Sequence, residues 1–224
     1  MSKTKKNDQT ARNGKPLFVF LGNIGSGKTT LTTALYSQLM DNGAVLIEEP
    51  VKNWRECGFL QEFYSDMNKY ALSFQMFALA TRAKLYKETD WSLTNLGIAD
   101  GHIISDRFVF ALNLRHHNIL TENELNWYDT AFKGWESIVP EMNATYWIYL
   151  KATPNTCQKR IKTRGRIEEN DISLSYLEGL DKLFEKLLEK FQESNNMKIF
   201  DAELDIGSVQ EAVLNFMKSV LQNE

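Results

Sequence analysis

The residues whose types and spacing most clearly indicate a chemical function run from Gly22 to Thr29, in the order Gly-Asn-Ile-Gly-Ser-Gly-Lys-Thr. This spacing fits G-x-x-x-x-G-K-[ST], in which glycines let successive backbone N–H groups converge on a phosphate. Lys28 would neutralise the outer phosphates of a triphosphate such as ATP, and the Thr29 hydroxyl would ligate Mg²⁺. We therefore predict a phosphate-binding loop made of Gly22, Asn23, Ile24, Gly25, Ser26, Gly27, Lys28, Thr29 and Thr30.

Three arginines form a second cluster. Arg160 and Arg164 are four residues apart and share a helical face, and Gly165 ends that helix so that Arg166 can turn to the same side. Guanidinium groups bind phosphates through paired hydrogen bonds, which favours a lid (residues 160–169) that closes over a transferring phosphoryl group. The alternative is a solvated charged turn, and the phosphate-binding loop in the same chain favours the lid.

Apolar runs alternate with helical patterns along the chain. Strands are predicted at 17–21, 44–47, 102–104, 145–150 and 197–200. Helices are predicted after the phosphate-binding loop, as a pair within 59–89, and at 108–117, 121–139, 154–162, 173–193 and 208–221. This alternation predicts an α/β fold, a five-stranded parallel doubly wound sheet flanked by helices.

Chemical groups follow three of the predicted strands. Gly22 follows the first, Glu49 the second, and Asp106 and Arg107 the third. Because ligands of open α/β sheets bind outside the carboxyl ends of the strands, these groups should meet in one crevice.

Composition narrows the functional class. The chain has 224 residues, 43% of them hydrophobic, and a formal charge of −3, which is enough for one core and predicts a single domain over 17–224. The mild acidity gives no sign of a nucleic-acid partner, and no apolar run approaches the length that crosses a membrane. Cys57 and Cys157 stand far apart and favour a reducing, cytoplasmic location, with mitochondrial or nuclear alternatives.

The first 16 residues have a different composition. They carry Lys3, Lys5, Lys6, Arg12 and Lys15 among small polar residues, which predicts a disordered basic tail. The alternative is a targeting or anion-binding arm.

Several motifs together resemble the deoxyribonucleoside kinases, of the deoxycytidine and deoxyguanosine kinase type, cellular or viral. They are the phosphate-binding loop, Glu49-Pro50-Val51 with Trp54, Phe74-Gln75, and the run from Tyr149 through Arg164-Gly165-Arg166 to Glu168-Glu169. The resemblance covers roughly residues 17 to 195. It implies a P-loop kinase fold with an arginine-rich lid, and ATP-dependent transfer of the γ-phosphoryl group to the 5′-hydroxyl of a deoxynucleoside in nucleotide salvage.

The resemblance also implies a catalytic role for Glu49, as the general base that takes the proton of the 5′-hydroxyl. A carboxylate at a strand end that faces the loop suits this role, whereas Glu48 would point the other way. Arg160, Arg164 and Arg166 correspond to the lid arginines of the family.

Nucleoside-binding residues are implied in the same way. The residues carried over are Trp54, Tyr64, Phe74, Gln75, Arg82, Phe110 and Glu169. Tyr64 and Glu169 would contact the sugar 3′-hydroxyl, and Gln75 would pair with the base edge through its amide donor and acceptor. Arg82 stands where kinases of cytosine and purine nucleosides have an arginine, which favours dC, dG or dA over dT. The family further implies a homodimer built through helices at about 68–87 and 108–139.

One segment departs from the family pattern. Members carry Asp/Glu-Arg-Ser at the end of the third strand, and the deoxycytidine type adds Ser-Asp-Arg a few residues later. This chain has one Ser105-Asp106-Arg107, so the segment reads as several residues short. We therefore assign Asp106 to Mg²⁺ together with Thr29, and Arg107 to the phosphates, which leaves Arg82 without an aspartate partner.

Two other functions remain open at this point. A nucleoside monophosphate kinase of the thymidylate type has a similar loop and lid, but the carboxylate of Glu49 would repel a monophosphate acceptor. A nucleotide-binding regulator that transfers nothing is the second alternative, and the shortened segment around Asp106 is the feature in its favour.

Overall fold

Five parallel strands form the centre of the molecule, as predicted. The computed structural model describes residues 15–137, 139, 145–191 and 196–222. The strands are β1 (Leu17–Leu21), β2 (Ala44–Ile47), β3 (Leu96–Asp100), β4 (Thr145–Lys151) and β5 (Met197–Asp201). Their order across the sheet is β2-β3-β1-β4-β5. Every neighbouring pair is parallel, with Phe18 opposite Ile98 on one side and Tyr146 on the other.

Helices lie between the strands in sequence. They are α1 (Lys28–Leu39), α2 (Val51–Glu56), α3 (Phe59–Ser65), α4 (Met67–Glu88), α5 (Ile103–Ser105), α6 (Leu112–His116), α7 (Glu122–Glu136), α8 (Pro154–Arg164), α9 (Leu174–Phe191) and α10 (Ile206–Leu221). A π-helical turn, Asp106–Ala111, joins α5 to α6, so residues 103–116 are helical without a break.

The central strand explains how the sheet packs. β1 has the sequence Leu-Phe-Val-Phe-Leu, and all five residues are buried, as expected for a strand covered on both faces. The buried apolar residues of the sheet and helices form one cluster. The described part of the chain is thus built around one core.

Side chains at the helix ends account for several boundaries. Thr121 and Glu124 form the reciprocal bonds of a capping box at the start of α7, as their spacing predicts. Thr153 accepts a hydrogen bond from the Thr156 backbone N–H and Pro154 occupies the first turn, so α8 begins there. The same helix ends at Gly165, which places Arg166 outside it.

The predicted third strand is wrong. The strand is Leu96–Asp100, and residues 102–104 begin a helix instead, where the His102 ring accepts a hydrogen bond from the Ile104 backbone N–H at 3.2 Å. The run Leu-Gly-Ile-Ala has low strand propensity, but Gly97 is needed because Leu17 and Trp91 pack against its backbone. Tertiary packing therefore selects this strand, and the acid at its carboxyl end is Asp100.

The predicted basic tail falls mostly outside the described residues. Of the range 1–16, only Lys15 and Pro16 are described: Lys15 Nζ donates to the Trp91 carbonyl at 2.8 Å, and the Pro16 carbonyl accepts from Gly97 N–H at 2.9 Å. The last residues of the helices predicted at 121–139 and 173–193 also fall partly outside them. Within the described ranges, no helix is long and apolar enough to cross a membrane.

Candidate functional site

A cavity of about 570 Å³ opens at the carboxyl edge of the sheet. All the site residues predicted from sequence line it except Asn23 and Arg107. The phosphate-binding loop forms one end, and the aromatic side chains of α2, α3 and α4 surround the other. One crevice therefore joins the predicted phosphate site to the predicted nucleoside site.

The phosphate-binding loop is held open by its own contacts. Gly25 has φ +80°, and a Cβ there would lie 2.6 Å from the Cys157 carbonyl oxygen, so glycine is required. Lys28 Nζ donates to the carbonyls of Gly22 at 2.8 Å and Asn23 at 3.0 Å, which holds the ammonium group across the loop. Asn23 does not line the cavity and instead ties the loop to α9, since its amide donates to the Leu177 carbonyl at 2.9 Å.

Asp100 is the carboxylate beside the loop. The Thr29 hydroxyl donates to Asp100 Oδ2 at 2.6 Å, while Oδ1 of the same carboxylate is buried and has no hydrogen-bond partner. Burial and the nearby charge of Glu49 raise the pKa of Asp100. A cation would satisfy the free oxygen, so Thr29 and Asp100 are the residues that could hold a divalent metal. The prediction that pairs Asp106 with Thr29 at the metal gains no support from this geometry, because Asp106 lies on the helix that follows and accepts a hydrogen bond from Arg82.

Arg82 connects three groups at the centre of the cavity. Its Nε donates to Asp106 Oδ2, its Nη2 to Glu49 Oε1 and its Nη1 to the Asp100 carbonyl, each at 2.8 Å. The prediction that Arg82 lacks an aspartate partner is therefore wrong. The segment is also not several residues short. The strand ends at Asp100, so Asp100-Gly101-His102 stands where the family pattern has Asp/Glu-Arg-Ser. Ser105-Asp106-Arg107 follows a few residues later, as the deoxycytidine type has it.

These contacts set the charge of Glu49. Burial raises the pKa of Glu49, but the charges of Arg82 and Lys28 outweigh this effect, and the net shift is downward. Burial lowers the pKa of Arg82, while Asp106 and Glu49 raise it by more, so the guanidinium remains charged. Glu49 is thus held ionised inside the cavity.

Arg107 does not line the cavity. It forms an ion pair with Asp129 of α7, in which Nη2 lies 2.8 Å from Oδ2. The prediction that Arg107 binds phosphate followed from the misplaced strand, because a helix turns successive side chains to different sides. Its observed role is to tie the π-helical turn to α7.

Aromatic rings surround the other end of the cavity. Phe74 stacks on Phe63 with ring centroids 4.5 Å apart and meets Trp54 edge-on at 5.5 Å. Trp54 is fixed by a hydrogen bond from its indole N–H to the Thr81 hydroxyl at 2.9 Å. Gln75 is 4% exposed and lines the same cavity. The arrangement is an aromatic slot with a buried amide side chain in its lining.

The lid arginines have separate partners. Arg160 donates to the carbonyls of Ser26 at 3.2 Å and Ala202 at 2.7 Å, so it joins the phosphate-binding loop to the loop after β5. Arg164 and Arg166 both donate to Glu169, the second at 3.0 Å. Glu169 is 4% exposed, which means that the two guanidinium groups balance a buried carboxylate.

Comparison with known proteins agrees with this geometry. The family model described as deoxynucleoside kinase matches residues 18–223. This chain belongs to the deoxynucleoside kinase family. Its acceptor class is therefore the deoxynucleosides, and neither the monophosphate-kinase nor the non-catalytic alternative receives support.

Individual members of the family show how far the likeness extends. The chain is 34% identical over 174 residues to the "Probable deoxycytidine kinase" of Fowlpox virus (strain NVSL), covering 77% of this chain and 71% of that protein. It is 31% identical over 210 residues to the deoxyguanosine kinase of Bacillus subtilis (strain 168), covering 91% of this chain and 92% of that one. The solved deoxyadenosine kinase from M. mycoides, with the products dCMP and a flexible dCDP bound, superimposes with a TM-score of 0.78 at 25% identity, covering 91% of this chain and 99% of that one.

Besides Asp100, sequence reasoning missed two further features of this kinase. Arg55 of α2 donates from Nε to Glu168 Oε1 of the lid at 2.8 Å, next to Glu169. Leu204 and Ile206 line the cavity beyond the phosphate-binding loop although both are about half exposed. A lone arginine and two apolar residues after a strand carry no motif, so only the folded chain reveals them.

The contact between Arg55 and Glu168 should restrain the lid of the kinase. Arg55→Ala removes the ion pair, and we expect trypsin to cleave after Arg164 and Arg166 roughly two- to fivefold faster, because the open lid is more populated. Peptide mapping of a limited digest measures this rate.

The matched control is Lys52→Ala. Its ion pair with Glu56 lies on the same helix and is largely exposed, and neither residue is bonded to the lid. Equal lid cleavage in the two variants would show that Arg55 does not restrain the lid.

Proposed function

We propose that this kinase transfers the γ-phosphoryl group of ATP, or of another nucleoside triphosphate, to the 5′-hydroxyl of a deoxynucleoside. The oxygen of the hydroxyl forms the new bond to phosphorus, the bond from phosphorus to the β-phosphate oxygen breaks, and Glu49 takes the hydroxyl proton. The observation that carries the proposal is that Glu49, paired with Arg82 at 2.8 Å, lines the same cavity as the phosphate-binding loop. A hydroxyl between them would meet both an acceptor for its proton and a phosphorus to attack.

The aromatic slot is the proposed nucleoside site. Trp54, Phe74 and Phe110 would cover the faces of the base, and Gln75 would pair with its edge. Tyr64 and Glu169 would hold the 3′-hydroxyl. The pair Arg82–Asp106 supports a preference for dC, dG or dA over dT, because it adds charged polar groups to the base end of the slot.

The phosphate-binding loop is the proposed donor site, with Mg²⁺ as its metal. The oxygen donors of Thr29 and Asp100 suit Mg²⁺, which usually binds one or two protein oxygens together with substrate phosphates. Among the described residues no group of three or more His, Cys, Asp or Glu side chains could hold a metal, which agrees with this kind of site. When bound, Mg²⁺ neutralises charge on the phosphates, while Lys28, Arg160, Arg164 and Arg166 would contact the rest of the triphosphate.

The wider setting follows from the sequence analysis. We include in the proposal a single kinase domain over residues 17–224, a cytoplasmic location, and a role in nucleotide salvage without a nucleic-acid or membrane partner. These points rest on composition and on the family.

Removal of the proposed general base should abolish turnover selectively. Glu49→Gln keeps the size of the side chain but cannot accept the proton, so kcat should fall about 10²- to 10⁴-fold with nearly unchanged ATP affinity. The measurement is phosphorylation of each of the four deoxynucleosides, alongside ATP binding by calorimetry.

The exposed neighbour Glu48 supplies the control. Glu48→Gln alters the preceding carboxylate, which does not line the cavity. Full activity in Glu49→Gln would remove Glu49 from the mechanism.

The corrected metal assignment has its own test. Asp100→Asn should weaken the Mg²⁺ dependence of ATP binding, because the variant loses the carboxylate charge beside Thr29. Asp106→Asn should retain that dependence, since Asp106 contacts Arg82 rather than Thr29. Calorimetric titrations of ATP with and without Mg²⁺ distinguish the two variants, and the reverse pattern would restore Asp106 as the ligand.

The homodimer expected from the family belongs to the same proposal. Helices α4 and α7 pack against each other, and Trp127 of α7 is 60% exposed, which is unusual for such a large apolar side chain. Sedimentation of the 25.9 kDa chain should give twice that mass, and Trp127→Glu should shift it toward the monomer. A mass of 25.9 kDa for the parent protein would contradict the dimer.

A further inference from the structure

The guanidinium of Arg82 fills a position from which it can control a catalytic group. Its three contacts point in different directions, to Asp106 on one side, to Glu49 on another and to the Asp100 carbonyl on the third. A planar guanidinium with fixed N–H directions can make all three only in one orientation. The position of Glu49 is therefore linked to the position of Asp106.

Exposure differs along this chain of contacts. The side chains of Arg82 and Asp106 are 3% and 5% exposed, whereas that of Glu49 is 25% exposed. The Arg82–Asp106 pair is thus locked in the core, and the carboxylate of Glu49 extends from it into the cavity. A hydroxyl can reach Glu49 without displacing Arg82.

Gly101 provides the space that Arg82 occupies. A Cβ at this position would lie 2.7 Å from Arg82 Nη1 and 3.2 Å from Cζ. A side chain at this position would therefore require the guanidinium, which also holds Glu49, to shift. The glycine also has φ +85°, so its backbone turns where the strand ends.

Other cations of the site are engaged elsewhere. Lys28 spans the carbonyls of its own loop. Arg164 and Arg166 pair with Glu169. Among the residues described, Arg82 is the one basic side chain in an ion pair with Glu49.

We propose that Arg82 is the positioning residue for Glu49, and that it couples the nucleobase end of the cavity to the phosphoryl-transfer end because Gly101 leaves room for it. This inference rests on the proposed function. A residue that only reads the base would change the ranking of substrates. A residue that also orients the general base must affect kcat for every deoxynucleoside.

The test compares two ways of removing the contact with Glu49. Arg82→Met alone leaves Asp106 as an unpaired buried charge and can unfold the protein, so the informative pair is Asp106→Asn and the double variant Arg82→Met/Asp106→Asn. These two proteins differ only in the guanidinium. We expect kcat of the double variant to be at least about tenfold lower than that of Asp106→Asn with each of the four deoxynucleosides, thymidine included.

Gly101→Ala reaches the same contact without changing any charge. We expect a kcat loss of similar size with all four deoxynucleosides. The matched control is Gly58→Ala at the start of α3: Gly58 has φ +77°, so it carries the same backbone strain, but nothing lies within 4 Å of its Cβ and it lies outside the cavity. Gly58→Ala should keep the parent kcat.

The roles of Arg82 and of Gly101 can each be overturned separately. Equal kcat in Asp106→Asn and in the double variant would overturn the role of Arg82. The same conclusion would follow if the double variant ranked the four deoxynucleosides differently but reached the same highest kcat as Asp106→Asn. Equal kcat in Gly101→Ala and Gly58→Ala would overturn the role of Gly101. If the parent protein phosphorylates no deoxynucleoside, the proposed function fails instead, and crystal structures then test the inference directly: Glu49 must leave its parent position in Gly101→Ala but not in Gly58→Ala.

Discussion

The constraint that organises this molecule is the cost of keeping several charges out of water at one edge of a sheet. The side chains of Glu49, Asp100 and Asp106 all lie close to the core. The Arg82 guanidinium donates to the carboxylates of Glu49 and Asp106 and to the backbone carbonyl of Asp100. Burial of unpaired charge is strongly unfavourable, so each group persists only because the others are in place. The fixed guanidinium keeps one carboxylate ionised where a hydroxyl can reach it, which is the condition for proton acceptance.

The strand order brings these groups together. After β1 the chain moves to one side for β2 and β3, and then crosses to the other side for β4 and β5. The connections after β1 and β3 therefore leave the sheet beside each other in opposite directions, which opens a crevice at that point. The phosphate-binding loop, Asp100 and Glu49 stand at its rim. Apolar and β-branched runs were sufficient to predict four of its five strands, whereas β3 was misplaced and the strand order was seen only in the folded chain.

The errors in the site share one physical origin. Leu96 to Asp100 contains a glycine and an alanine that suit a strand only because Trp91 and Leu17 cover them, and local propensity cannot see that packing. Placing the strand at residues 102–104 put Asp106, rather than Asp100, at the strand end beside Thr29 and directed Arg107 to the phosphates. The residues carried by motifs, by contrast, line the cavity with the exception of Asn23, because the spacing within a motif is tied to local backbone geometry. The Arg55–Glu168 pair joins residues more than a hundred positions apart, and no local pattern encodes such a contact.

In the lid, one carboxylate orients two guanidinium groups and uses only a small part of their N–H donors. Each guanidinium has five N–H donors, and Arg164 and Arg166 each use one of them on Glu169. Glu169 therefore fixes the direction of both side chains, and most of their donors remain available to an anion. Two unpaired arginines would repel each other and would lose side-chain entropy when an anion ordered them. Because the carboxylate offsets that repulsion in advance, the lid can present concentrated positive charge on a short turn that ends in a single buried acid.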